Sequence, residues 1–420
     1  KLEALLDHIL SKHEEVWGLN KKDTTLALRF ENLILRACEV SKQKVVVLID
    51  EYDKPLVNTL EDEALNDQMR DLLKGFYGIL KSNDANTRFV MLTGVTKFSK
   101  LGIFSDLNFL TDISMDEDYA AICGITEEEL LRIFEPEIKA LAKRRSMTFD
   151  VALAGMKKRY DGYHFAEQSP DIYNPYSVLN TLQKRKFGYY WFETGTPTFL
   201  VKMIKHARLD IRTFGEDSER ISAKDICDYR VEQKNPTPIL YQAGYLTIKN
   251  YKNLTDTYVL GYPNEEVKYG FLSELMTVYV PKYSLSEFDA DAFIEELYAA
   301  DVDSFMRRLQ ALFASVTFDL KNKTEDDVQT IFYLTFEMLG QHVKIEDHSS
   351  AGSADMVVEV PDAILIFEFK LAESATVDDA LQQIDDRNYA GKYAAGSRKI
   401  IKIGATFDWT IRTIKEWKTS

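Results

Sequence analysis

Residues 352–370 read Gly352-Ser353-Ala354-Asp355-Met356-Val357-Val358-Glu359-Val360-Pro361-Asp362-Ala363-Ile364-Leu365-Ile366-Phe367-Glu368-Phe369-Lys370. Two short runs of β-branched, aliphatic and aromatic residues flank Pro361-Asp362, which predicts a β-hairpin. Alternation along the second strand puts Glu368 and Lys370 on one face and turns Phe369 toward the core. The first strand can bring Asp355 alongside them. Two carboxylates and a lysine on one sheet face can hold a Mg²⁺ ion and orient a water for phosphodiester hydrolysis. An isolated Glu-x-Lys on a strand is more often a solvated pair, and such pairs add little to stability. The ordered series of Asp, turn, strand and following helix carries the chemical reading.

The flanks extend the pattern. Residues 323–340 read as one amphipathic helix with Thr324 as N-cap, acids in the first turn and Gly340 at the end. Residues 378–384 read as the helix after the hairpin, and 398–407 as a further strand. This arrangement resembles the PD-(D/E)xK nuclease core, with Asp355 as its Asp and Glu368-x-Lys370 as its (D/E)xK. The resemblance implies that Asp355 and Glu368 ligate a metal, Mg²⁺ or Mn²⁺. It also implies that Lys370 positions the attacking water or steadies the charge developing on phosphorus. A supporting acid is expected on the first helix. Glu325 is the choice and Glu337 the competitor, although either is as readily a capping or exposed charge. Gln383 and Tyr389 are similar to residues that some members place beside the substrate backbone.

A different chemistry stands near the other end. Lys44-Val45-Val46-Val47-Leu48-Ile49-Asp50-Glu51-Tyr52-Asp53 is a continuous apolar run closed by acids, which predicts a buried, parallel strand. Acids at the C-terminal end of such a strand lie where ligands bind in open α/β sheets. The run resembles a Walker B strand. In that resemblance Asp50 holds Mg²⁺ through water and Glu51 polarises the hydrolytic water. A second strand, expected to be buried, Arg88-Phe89-Val90-Met91-Leu92-Thr93-Gly94-Val95, ends in Thr93, where related ATPases sense the γ-phosphate. The sequence contains no Gly-x-x-x-x-Gly-Lys-[Ser/Thr], so the backbone cradle and lysine that grip phosphates are absent from these 420 residues. The expectation is a P-loop ATPase core without its front portion, and no tight binding of Mg·ATP. ATP belongs to a full-length relative only.

Between these ends stand Arg159-Tyr160-Asp161-Gly162-Tyr163-His164-Phe165, Ile172-Tyr173-Asn174-Pro175-Tyr176, Tyr190-Trp191-Phe192-Glu193-Thr194-Gly195-Thr196-Pro197 and Leu240-Tyr241-Gln242-Ala243-Gly244-Tyr245. Their Asp-Gly, Asn-Pro and Gly-Thr-Pro pairs are turn formers, the aromatics read as core, and His164 reads as a core histidine rather than a catalyst. In this order the strings resemble the bacterial AAA-ATPase-like proteins that carry a C-terminal PD-(D/E)xK nuclease domain. The expected architecture is multidomain α/β. Residues 1–115 form a partial P-loop ATPase-like core, 116–284 a helical and winged-helix-like region, and 285–420 the nuclease-like domain. Thr126-Glu127-Glu128-Glu129 predicts a capping-box helix start, residues 239–259 a helix and hairpin, and 288–312 leading helices or a helical linker.

Composition bounds the function. Three cysteines (Cys38, Cys123, Cys227) without metal-type spacing suggest free thiols in a reducing compartment. No signal peptide or membrane-length apolar run is visible, so a cytoplasmic protein without membrane partner is expected. A formal charge of −15 gives no broad positive field for nucleic acid, and residues 285–420 are themselves acidic by about ten charges. A metal can nonetheless bridge an acidic site to phosphate. Three basic clusters, Lys143-Arg144-Arg145, Lys157-Lys158-Arg159 and Lys184-Arg185-Lys186, offer a DNA track or are solvated helix faces. The leading expectation is a Mg²⁺-dependent nuclease acting on DNA, with the truncated ATPase-like module as a recognition or homo-oligomerisation platform. The alternative is a non-enzymatic or regulatory binding module.

Overall fold

The computed structural model describes residues 1–19, 25–59, 62–95, 109–191, 214, 219–226, 235–279, 289–315, 325–338, 343–349 and 352–420. Thr324, Gly340, Phe288, Cys227 and residues 192–197 of the Tyr190–Pro197 string lie outside them. The chain divides into two compact units: residues 1–188, 203–209 and 213–264, and residues 189–202, 210–212 and 265–420.

The first unit opens with helices α1 (Leu2–Trp17) and α2 (Leu26–Ser41). Buried Arg29 of α2 ties them together by donating from Nε and Nη2 to Glu14 at 2.7 and 2.8 Å. Strands β1 (Val45–Ile49) and β2 (Thr87–Leu92) pair in parallel, separated by α3 (Lys54–Val57) and α4 (Glu63–Ser82). The parallel pairing agrees with the sequence; the expected burial does not. Only Val47 of β1 is buried, while Val46, Leu48 and Phe89 are 51, 69 and 53 % exposed. Among the described residues this sheet has two strands. One face packs Val47 against Ile34 and Leu80, and the pleat turns the alternate residues to the other face.

The helical part of this unit follows. Strand β3 (Ile125–Thr126) leads into α5 (Glu127–Arg144), α6 (Phe149–Tyr160), β4 (Ile172–Tyr173) and α7 (Pro175–Lys184). The capping box is present: Glu129 N–H donates to Thr126 Oγ1 at 3.2 Å, and Thr126 N–H to Glu129 Oε2 at 3.0 Å. Leu130, Ile138, Leu141, Met156, Tyr160, Tyr173 and Val178 form the core of these helices. Strand β5 (Glu219–Ser222), helix α8 (Thr237–Gln242) and the hairpin β6 (Thr247–Lys252) and β7 (Thr257–Gly261) complete the unit as an antiparallel sheet of order β5-β7-β6. His164 is half-buried rather than a core residue: its backbone N–H donates to Thr247 Oγ1 at 2.7 Å, and its Nδ1 lies 3.1 Å from the exposed carboxylate of Asp171.

The second unit carries α9 (Glu265–Tyr279), α10 (Ala290–Tyr298), α11 (Val302–Ser315) and α12 (Glu325–Met338). A five-stranded sheet follows from β8 (Val343–Ser349), β9 (Gly352–Glu359), β10 (Ala363–Leu371), β11 (Lys399–Asp408) and β12 (Thr413–Thr419), with α13 (Val377–Asp386) between β10 and β11. The order is β12-β11-β10-β9-β8. Only β10 and β11 run parallel, as a helical crossover requires. The Phe332 ring of α12 lies tilted against that of Phe369, with centroids 4.4 Å apart, so α12 covers one face. Ile364, Ile366 and Val357 meet Ile384 and Tyr389, so α13 covers the other.

Candidate active site

The hairpin of β9 and β10 forms in the expected register. Phe367 pairs with Met356 and Ile364 with Glu359, and Val360 N–H donates to Ala363 O across the Pro361-Asp362 turn at 3.0 Å. Phe369 is 2 % exposed on the α12 face. Glu368 and Lys370 continue the Ile364–Ile366 face, on the α13 side. Glu368 is completely buried, and Lys370 Nζ donates to its Oε1 at 2.8 Å. From the facing strand, Asp355 Oδ2 accepts the backbone N–H of Phe369 at 2.7 Å. The three residues chosen from the sequence therefore converge within one turn of hairpin.

Gln383 and Tyr389 also meet: Gln383 Nε2 donates to Tyr389 Oη at 3.4 Å, on the same α13 side. Glu325 is the first residue of α12, whose body covers the opposite face; its side chain lies outside the description. The competitor Glu337 is 8 % exposed and accepts from Lys268 Nζ at 2.6 Å, which commits it to holding α9 against α12. Gly404 is a residue that sequence reasoning missed. It pairs with Glu368 across β10 and β11, and a Cβ there would stand 2.6 Å from Val377 O. Its missing side chain lets the start of α13 rest on the sheet at the level of Glu368. The signal was an isolated glycine inside a strand pattern.

Among the described residues no group of three or more His, Cys, Asp or Glu side chains is arranged for a metal. Asp355 and Glu368 nonetheless suit Mg²⁺ or Mn²⁺. Mg²⁺ is held by one or two carboxylates together with waters and substrate phosphates rather than by an all-protein cage.

In the first unit Asp50 and Thr93 also meet. Thr93 Oγ1 donates to Asp50 Oδ1 at 2.5 Å, and the same oxygen accepts Glu51 N–H at 2.9 Å. Glu51 has φ +52° and pairs with Lys54 at 2.6 Å, in the open. Asp53 is buried and accepts Val95 N–H at 3.2 Å. Gly94 leaves no room for a Cβ, which would lie 2.5 Å from Asp53 Oδ1. Asp53 and Gly94 thus fix the loop that carries Thr93.

A mixed sheet with this carboxylate–lysine hairpin defines a nuclease-type α/β domain, joined to a unit that opens on an ATPase-like strand pair. Comparisons with known proteins agree with both assignments. A family model described as "PD-(D/E)XK nuclease superfamily" matches residues 323–417, and one described as "Predicted AAA-ATPase" matches residues 1–104. The "Uncharacterized protein in vnfD 5'region" of Azotobacter chroococcum mcd 1 is 34% identical over 422 residues, covering 98% of this chain and 79% of that protein. No solved structure matches. The chain belongs to the AAA-ATPase-like proteins with a C-terminal PD-(D/E)xK nuclease domain.

Proposed function

We propose that this protein hydrolyses phosphodiester bonds of DNA in the presence of a divalent metal, Mg²⁺ or Mn²⁺. The observation that carries the reading is the convergence of Asp355, Glu368 and Lys370 on one hairpin. Asp355 and Glu368 would hold the metal. When bound, the metal supplies positive charge to the phosphoryl oxygens and lowers the pKa of a water. The Phe369 N–H fixes one Asp355 oxygen, so the carboxylate is oriented before substrate arrives. Lys370 keeps its ammonium on the active face by leaning on Glu368, where it can donate to the attacking water or to a phosphoryl oxygen. Gln383 and Tyr389 would contact the substrate backbone, and Glu325 would support the metal ligands.

In the first unit, Asp50 and Glu51 would be a Walker B pair and Thr93 a γ-phosphate sensor; the contact of Thr93 with Asp50 supports the reading. A nucleotide role for them would need a phosphate loop, which these 420 residues do not contain. In this chain the unit would act as a recognition or self-association platform. A cytoplasmic setting fits the dispersed cysteines. Among the described residues no helix is long and apolar enough to cross a membrane.

The test is cleavage of single- and double-stranded DNA with Mg²⁺ or Mn²⁺ by wild type, Lys370→Ala and Asp355→Asn. Lys370 faces a fully buried carboxylate, so its removal is expected to cost about 3–5 kcal/mol of stability as well as activity. Asp355→Asn keeps an acceptor for Phe369 N–H and separates the two effects. Metal-dependent cutting that both variants lose is the expected result. Equal cutting by wild type and Asp355→Asn would remove the assignment.

A further inference from the structure

The backbone of Lys370 is fixed by its pairing with Thr406 on β11, and a flexible four-carbon stem lets the ammonium swing without moving the strand. That ammonium rests on Glu368 Oε1 at 2.8 Å. The side chain of Glu368 is completely buried, while that of Lys370 is 18 % exposed. A sealed carboxylate is thus paired with a cation that touches solvent. Such a carboxylate needs a positive partner, because an uncompensated buried charge is strongly destabilising. Two other lysines on this side of the sheet are engaged by α13: Lys402 pairs with Asp385, and Lys418 pairs with Asp378 at 2.6 Å. Lys370 is the counter-ion that the hairpin itself supplies to Glu368.

Glu368 is also one of the two carboxylates proposed to hold a divalent metal, and the inference rests on that reading. Asp355, Glu368 and Lys370 carry two negative charges and one positive charge between them. A divalent ion added to all three leaves the group net positive, and a phosphodiester would bring the negative charge that offsets the excess. With a neutral side chain at position 370, two carboxylates and the ion already balance. Charges this close to a buried carboxylate interact strongly enough for that balance to govern affinity.

We propose that Lys370 is a built-in place-holder for the metal. Its ammonium compensates Glu368 in the absence of the ion and competes with the ion for the same carboxylate. No covalent bond is made or broken in the exchange; one cation takes over from another on Glu368. The lysine thereby keeps the buried carboxylate ionised and makes the ion enter against a resident positive charge. Metal and ammonium are coupled ligands of one site, so weakening either strengthens the hold of the other.

The experiment is a Mn²⁺ titration of the full chain followed by electron paramagnetic resonance, which counts unbound Mn²⁺ and needs no activity. Wild type, Lys370→Met, Lys370→Arg and Asp355→Asn are compared without nucleic acid. Lys370→Met should bind Mn²⁺ at least about tenfold more tightly than wild type, the scale of one hydrogen bond to a charged group. Lys370→Arg keeps the charge and should stay near wild type, and Asp355→Asn should bind more weakly. Unfolding midpoints should rise further with Mn²⁺ in Lys370→Met than in wild type, since the ion replaces the lost counter-ion. If Lys370→Met does not fold, amine-directed labelling of wild type, read by mass spectrometry, follows the same exchange. Mn²⁺ should then raise the labelling of Lys370 and leave Lys402 and Lys418 unchanged. Equal or weaker Mn²⁺ binding by Lys370→Met, or labelling of Lys370 that Mn²⁺ does not raise, would overturn the proposal. Weaker binding by Asp355→Asn in that case leaves the metal reading standing. No Mn²⁺ binding by wild type and Lys370→Met alike would remove both.

Discussion

Gly162 adopts φ +93°, and a Cβ there would lie 2.3 Å from the carbonyl oxygen of Pro263. Both facts demand glycine, so Gly162→Ala should destabilise the first unit by at least about 2 kcal/mol in urea unfolding. A change under about 0.5 kcal/mol would mean that the approach is not tight. Its neighbour Asp161 is 4 % exposed, and its Oδ1 has no hydrogen-bond partner among the described residues. Burial pushes its carboxyl above the ordinary value of 3.8, despite a hydrogen bond from Gly162 N–H and Lys157 Nζ at 3.9 Å. The folded state thus binds this proton more tightly than the unfolded chain does. Stability from this group is greatest below the ordinary carboxyl range, and falls as pH rises from 3.8 through the raised folded value. Asp161→Asn should therefore unfold at higher urea than wild type at neutral pH, and the advantage should shrink in acid. A difference that does not vary with pH would refute this account of Asp161.

At the scale of the element, Thr126 tests how local chemistry starts a helix. Its hydroxyl accepts Glu129 N–H, and Glu129 returns the bond to the Thr126 N–H, which also holds the Glu129 carboxyl below its ordinary value. Thr126→Ala should cost about 1 kcal/mol by denaturant unfolding, and Thr126→Ser much less. Such elements were legible because their rules are local: the capping box, the hairpin around Pro361-Asp362 and the helix after it all stand where residue spacing put them. The grouping of Asp355, Glu368 and Lys370 was legible for the same reason, since alternation on paired strands fixes the shared face. Burial of β1 was not. An apolar run predicts a strand, but whether Val46 and Leu48 are covered depends on elements distant in sequence. Glu337 shows the same limit on α12, because its partner Lys268 lies on another helix. Gly404 was visible as an interruption of β11, but the helix it makes room for was not.

At the scale of the molecule, a metal proposed for the second unit alone would let stability separate the two units. A metal held by Asp355 and Glu368 binds the folded second unit and not the unfolded chain. It therefore stabilises that unit by mass action, roughly 1.4 kcal/mol at a concentration ten times its Kd. No such gain is expected at Asp50, whose Oδ1 already accepts from Thr93 Oγ1 and Glu51 N–H. Unfolding of the full chain should accordingly respond to about 10 mM Mg²⁺ through signals of the second unit, such as Trp409 and Trp417. Asp355→Asn should abolish the response, since it halves the carboxylate pair while keeping the acceptor for Phe369 N–H. Hydrogen exchange resolved along the chain reads the two units separately, with added protection expected in β9, β10 and α13 and none in β1 or β2. Protection by Mg²⁺ that is equal in Asp355→Asn would place the cation elsewhere. With the response lost in Asp355→Asn, the metal would contribute to fold stability and to chemistry through the same two carboxylates.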